Sequence, residues 1–182
     1  MLFNSYIFIF LFLPLTLAGW YLLNHIKAGE SAKLFLAGMS LWFYGYFNVY
    51  YLAVIVASIL GNYFLSCLMR FSKSRAFSRL GLLAGLLLNL GFLFYFKYYD
   101  FFFENINAVF HTDFGLKHIL LPLGISFFTF QQLSFIIDRC TGRAEHYSFI
   151  NYLTFVTFFP QLIAGPIVTY KEMMPQFEDR GN

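Results

Sequence analysis

The chain has 182 residues, 59% of them hydrophobic and 23% aromatic, and only 12% carry charge, well under the roughly 25% of soluble domains. That balance excludes a soluble globular domain. The net charge of +3 argues for contact with anionic lipid rather than nucleic acid, and the two cysteines, Cys67 and Cys140, imply no disulfide framework.

The charges leave five blocks empty: Met1–Asn24, Leu34–Met69, Leu80–Phe96, Ile119–Ile137 and Tyr147–Tyr170. A spanning helix needs about 20 mostly apolar residues, so each block is long enough, or nearly so, to cross a bilayer. Backbone groups in lipid must be satisfied internally, and with no alternating strand pattern these runs can only be helices. The expected fold is all-α, a polytopic transmembrane bundle of roughly six spans. In chain order the first span covers 4–23; it lacks a basic n-region and its apolar run is too long for a typical signal peptide. The Leu34–Met69 block holds two, 34–47 and 50–69, with a break expected at Gly45 and Asn48. Asn62 lies mid-run in the second, where an interhelical hydrogen bond is its simplest use. The fourth span, 80–97, has Gly81 and Gly85 at GxxxG spacing, which permits close helix contact, and Asn89 in its apolar middle.

The connection that follows, Tyr98–Lys117, alternates aromatic residues with acids and amides. It reads as an aromatic belt at the lipid interface. The alternative is a helix lying flat, with Phe102, Ile106 and Phe110 in lipid and Glu104, Asn105 and Asp113 in water.

The fifth span, 119–137, contains LPLGISFFTFQQLSFIID (Leu121–Asp138). Pro122 removes a backbone donor and Gly124 loosens the same turn, so the helix should start late or kink. The hydroxyls of Ser126, Thr129 and Ser134 can return to backbone carbonyls. Gln131 and Gln132 point about 100° apart on a helix, so at least one must face a neighbour, and an unpartnered amide in hydrocarbon costs several kcal/mol. The sixth span, 149–168, places Pro160-Gln161 and Gly165-Pro166 in another apolar run and should break, as helices do where they line protein or a wet cavity.

Lys and Arg near the span ends give the orientation. With the N-terminus outside, eight lie inside (Lys27, Lys33, Arg70, Lys73, Arg75, Arg79, Arg139 and Arg143) and four outside (Lys97, Lys117, Lys171 and Arg180), so N-out is favoured. His25, His111, His118 and His146 all fall in loops or at interfaces, and Asp138 with Arg139 closes the fifth span. No metal-ligand spacing, phosphate loop or Ser-His-acid set occurs, so the sequence offers no catalytic and no metal residue.

Two blocks, LPLGISFFTFQQLSFIIDRCTG (Leu121–Gly142) and FVTFFPQLIAGPIVTYKEMMPQF (Phe155–Phe177), resemble the N-terminal half of the membrane-bound O-acyltransferases. The likeness is to the bacterial branch with alginate O-acetyltransferases and teichoic-acid D-alanyl transferases. LGFLFYFKYYDFFFENIN (Leu90–Asn107) and LWFYGYFNVYYLAVIVASILGNYFL (Leu41–Leu65) are similar too, in the same order, so the resemblance covers nearly the whole chain. It implies an acyl group, here acetyl, passed to hydroxyls of an extracytoplasmic polysaccharide, with acyl-CoA or a similar donor and no bound cofactor. It also implies a periplasmic or membrane partner protein and a location in the bacterial inner membrane.

The family's catalytic histidine lies in a Trp-His region downstream of the Gly165-Pro166-Ile167 block, and none of the four histidines here stands in that motif. Residues 1–182 are therefore expected to be the N-terminal part of a single transmembrane domain, truncated before the catalytic histidine, or a short product without activity of its own. The resemblance assigns Ser126, Gln131, Gln132, Pro160, Gln161, Gly165 and Pro166 to the wall of the funnel where donor and acceptor meet. A transporter or flippase and a non-catalytic membrane subunit are the competing readings; broken helices with midplane polar groups also suit a transporter.

Overall fold

The computed structural model describes residues 3–71, 74–142, 148–165 and 168–178. Within them all regular structure is helical. Lys73, Arg143, His146 and Arg180 lie outside the described residues.

A π turn, Phe8–Phe12, leads into α1, Leu13–His25. Its wider Leu13 N–H to Phe8 carbonyl bond comes just before Pro14, which has no N–H to give, and an interrupted ladder of that kind is where single π turns form. Helix α2, Gly29–Phe47, starts earlier than the expected 34–47. Glu30 in its first turn suits the positive end of the helix dipole, and Lys33 is buried, its Nζ donating to Asn151 Oδ1 at 2.9 Å. Lys33 therefore belongs to the helix rather than to a loop. The break before α3, Val49–Phe71, falls at Asn48, whose backbone is extended and whose Oδ1 accepts the Tyr50 N–H at 2.8 Å. Gly45 stays inside α2.

The fourth span differs most from expectation. Helix α4, Arg75–Leu93, a π turn, Phe94–Tyr98, and α5, Tyr99–Phe110, run on as one 36-residue helical segment of about 54 Å. No proline or glycine occurs between Phe92 and Phe110 to stop it, so the segment that charge alone would end at Lys97 continues. His111, in the left-handed conformation, ends α5, and Asp113 falls in the irregular return that follows rather than on a helix.

Helix α6, Ile125–Cys140, starts late, as Pro122 and Gly124 require; Gly124 adopts φ 68°, a value that a side chain would strain. The sixth span is broken into α7, Phe149–Thr157, and α8, Phe159–Ala164, at Phe158 (ψ 102°), two residues before Pro160. Helix α9, Tyr170–Glu178, is capped by a reciprocal pair: the Glu172 carboxylate accepts the Thr169 N–H at 2.9 Å, and the Glu172 N–H returns to the Thr169 carbonyl.

Among the described residues, Phe8–His25, Val49–Arg70 and Arg75–Phe110 are long and apolar enough to cross a membrane by themselves. Helix α4 packs chiefly on α6, α3 lies against both, and α2 bridges α1 to α7. The GxxxG glycines serve two different neighbours. A Cβ on Gly81 would collide with Met69 of α3, and one on Gly85 would sit 2.9 Å from Ile136 Cγ2 of α6. A second cluster gathers Phe8, Phe12 and Phe43 around Phe159, with ring centroids 5.1–6.0 Å from it. Lipid tails are as apolar as phenylalanine, so this nest holds α8 by packing and ring geometry rather than by escape from water.

Candidate functional site

Polar side chains inside an apolar bundle need partners, and their placement follows from which helices pack. Ser58 and Asn62 lie one turn apart on α3, Asn89 on α4 and Gln132 on α6, and all four are buried where those helices meet. Asn62 and Asn89 pair through both amides: Asn62 Nδ2 donates to Asn89 Oδ1 at 3.2 Å, and Asn89 Nδ2 to Asn62 Oδ1 at 2.6 Å. Gln132 Oε1 accepts from Ser58 Oγ at 2.9 Å and from Asn62 Nδ2. Each asparagine also donates to the carbonyl one turn back, Ser58 and Gly85. The cluster thus ties three helices through one acceptor oxygen and an amide pair.

Gln131, about 100° round the same helix, faces α7 instead and donates Nε2 to the Phe155 carbonyl at 3.4 Å. Gln131 Oε1, Gln132 Nε2 and the Tyr152 hydroxyl, all buried, have no hydrogen-bond partner among the described residues. Each such group costs about 1–3 kcal/mol. Tyr152 is fully buried, its ring stacked on Phe135 at 4.1 Å.

Ser126 opens α6 beside the π turn of the fourth segment. Its hydroxyl accepts from Lys97 Nζ at 3.2 Å, so it joins two segments where a purely local bond was expected. The local return to a backbone carbonyl is made elsewhere, by Thr16, Ser40, Thr154 and Thr157.

The broken sixth span builds a separate place. With Phe159 anchored in the aromatic nest, Pro160, Gln161 and Gly165 line a half-open cavity of about 550 Å³ between α1, α8 and α9. Thr16 and Trp20 of α1 form the opposite wall, and Phe177 of α9 closes one end against Trp20 and Phe158. Gly165 has no room for a side chain: a Cβ would sit 2.7 Å from Gln161 Cα. Pro166 lies outside the described residues. The described funnel residues therefore divide into four groups. Ser126 meets Lys97, Gln132 faces α3 and α4, Gln131 faces α7, and Pro160, Gln161 and Gly165 face the cavity.

Sequence reasoning missed Ser58, Lys33, Tyr152 and the Thr169–Glu172 cap. The cap had a signal, the T-x-x-E spacing of Thr169 and Glu172. The others did not, because a serine, a lysine at a block edge and a tyrosine among aromatics are indistinguishable from lipid-facing or solvated residues until the helix contacts are known. The chemistry available is hydrogen bonding by amides and hydroxyls, with no group of three or more metal-ligating side chains among the described residues.

The family model described as the membrane-bound O-acyltransferase family matches residues 118–182. The chain is 40% identical over 208 aligned residues to a peptidoglycan O-acetyltransferase of Helicobacter pylori, covering 100% of this chain and 40% of that protein. It is 37% identical to proteins named probable alginate O-acetylase AlgI from Pseudomonas putida and Pseudomonas aeruginosa, covering 99% of this chain and 38% and 35% of theirs. The chain thus spans about two fifths of the length of these curated relatives. No solved structure matches it.

Proposed function

The chain belongs to the membrane-bound O-acyltransferase family, and from that premise we propose that it forms the N-terminal part of an enzyme that transfers acetyl groups to hydroxyls of an extracytoplasmic polysaccharide. The observation that carries this reading is similarity along the whole chain to a peptidoglycan O-acetyltransferase and to alginate O-acetylases. The acceptor is a cell-envelope glycan of that general kind, the donor acyl-CoA or a related acyl carrier, and a periplasmic partner completes the transfer.

In this reading residues 1–182 are one portion of a single transmembrane domain in the inner membrane, with six crossings and the N-terminus outside. Three pairings support that crossing order, because each joins helix ends that six alternating spans put on one side. Lys33 at the start of α2 meets Asn151 at the start of α7; Phe8 meets Phe43 and Phe159; and Lys97 meets Ser126. The residues of this chain shape and position rather than move protons. The α3–α4–α6 amide cluster fixes α6, Gln131 ties α6 to α7, and the α7–α8 break turns Gln161 toward the cavity.

The test is to interrupt the reading frame within codons 121–170 in the source cell and measure acetate released from the envelope glycans by mild alkali. The expected result is loss of the ester-bound acetate, restored by the intact gene. Unchanged acetate in every glycan fraction rules the reading out.

A further inference from the structure

The helical segment that carries α4 and α5 is too long for the bilayer it enters. From Arg79 to Lys97 it rises about 27 Å, close to the roughly 30 Å of the hydrocarbon core, and from Lys97 to Phe110 it rises about 20 Å more. Those extra turns are not polar on the outside. Phe101, Val109 and Phe110 are 65–70% exposed, and no residue of α5 is buried.

This apolar face continues one already present. Leu83, Leu87, Leu90, Phe94, Tyr98 and Phe101 recur at three- and four-residue spacing and are all exposed, so the outward stripe of α4 passes through the π turn onto α5. At the junction the helix deforms: Tyr98 has φ −113° and ψ −6°, away from helical values, and π turns are recognised places for a helix to change direction. The same level carries the groups of a lipid interface. Lys117 Nζ lies 4.8 and 4.6 Å from the ring centroids of Tyr95 and Tyr99, and Lys97 reaches Ser126.

The other side of α5 is backed. Asp100 accepts the backbone N–H groups of Lys117 and Ile119 at 2.7 and 3.2 Å. Asn107 holds Phe114 through both its amide groups and accepts from Thr112. The return through residues 112–119 is therefore tied along the side of α5 that carries Asp100, Phe103 and Asn107, and exposed Phe101, Phe102 and Val109 lie toward the opposite side.

We propose that the apolar face of α5 rests in the headgroup layer of the bilayer, so that α5 and its tied return form an arm lying on the membrane surface. The bilayer is the occupant because the face is an extension of the stripe that α4 presents to lipid, and because tyrosines and lysines mark the level at which it leaves the hydrocarbon. The inference does not depend on the chemistry of acyl transfer, nor on which side of the membrane the arm lies.

The test places a tryptophan on the face, Phe101→Trp, in the full chain reconstituted into phosphatidylcholine vesicles, and reads its emission against the parent with its two tryptophans. The added emission should be blue-shifted, lost more to lipid brominated near the headgroup than near the chain end, and nearly insensitive to aqueous iodide. Glu104→Trp, on the polar side, should respond to iodide. Val109→Trp repeats the measurement should the first variant fail to fold. Iodide quenching with no effect of brominated lipid puts the arm in water, and protection from both puts protein over the face; either result overturns the proposal.

Discussion

Asn62 and Asn89 hold each other by both ends of their amides, one on α3 and one on α4, in the apolar interior where neither has water to fall back on. Gln132 then reads that pair from a third helix. The arrangement makes the cluster unequal in its response to mutation. Gln132→Leu removes the acceptor shared by Ser58 and Asn62, but Asn62 Nδ2 keeps Asn89 Oδ1 and the Ser58 carbonyl, and the unpartnered Gln132 Nε2 goes too. The loss should stay within the roughly 0.6–1.7 kcal/mol of single interhelical bonds in membranes, measured as a drop in unfolding temperature in detergent. Asn89→Leu strands the buried Asn62 Oδ1, to which Asn89 Nδ2 donates, and should cost more, about 1–3 kcal/mol. An equal loss from both would contradict the reciprocal amide pair.

Gly85→Ala brings a Cβ to 2.9 Å from Ile136 Cγ2 and should push α6 off α4 at a cost of about 1–3 kcal/mol. Trimming the facing side chain, Ile136→Ala, should recover part of that loss in the double variant, so the two changes should be clearly non-additive. Additive unfolding energies would mean that the helices do not touch there.

Asp100→Ala cuts the two backbone bonds that tie the return to α5, at Lys117 and Ile119. Hydrogen exchange at those two amides should quicken by about tenfold or more, while the amides of α3 and α6 keep their protection. Exchange unchanged at Lys117 would show the return to be held by something else.

The Thr169 backbone N–H, and then its side chain, hold the Glu172 carboxyl below its ordinary range. A depressed folded pKa means that the contribution is present above the unfolded value and lost as pH falls through the folded one. At neutral pH the cap is complete; on acidification past the usual carboxylate range the first turn of α9 should loosen. The check is the pH titration of the Thr169 amide shift, with a midpoint below that of an ordinary glutamate, and Glu172→Gln should abolish it.

Under the proposed function, Gly165→Ala should lower acetyl transfer by about tenfold to a hundredfold, because the added methyl displaces Gln161 from its place in the cavity wall and errors of about 1 Å are costly in positioned sites. Initial rates with saturating donor measure it. Full activity would separate the cavity from the reaction.

Local signals carried far along this sequence. The late start of α6 followed from Pro122 and Gly124, and the break at Asn48 and the split of the sixth span from Pro160 were readable because each depends on residues a turn away. Asn62 and Asn89 were identifiable as buried donors in need of partners. That they choose one another, with Gln132 as third member, was not, since it depends on which helices pack and at what rotation. The 36-residue run failed for the opposite reason. Charge marks where lipid ends, and a helix can continue past that point when nothing in its backbone stops it. The separation of Gln131 and Gln132 from Gln161 was likewise hidden, because an apolar run with a glutamine in it looks the same whether the amide meets a neighbouring helix or a cavity.

The amide pair also bears on how the protein is made. Helices α3 and α4 are neighbours in the chain, joined across residues 72–74, so both asparagines reach the membrane before Gln132 of α6 does. Each amide would be costly facing lipid alone; paired, they enter together as one unit whose polar seam is already closed. Gln132 then arrives at a formed seam, and the late helix is sorted into place by a contact that the early two have prepared.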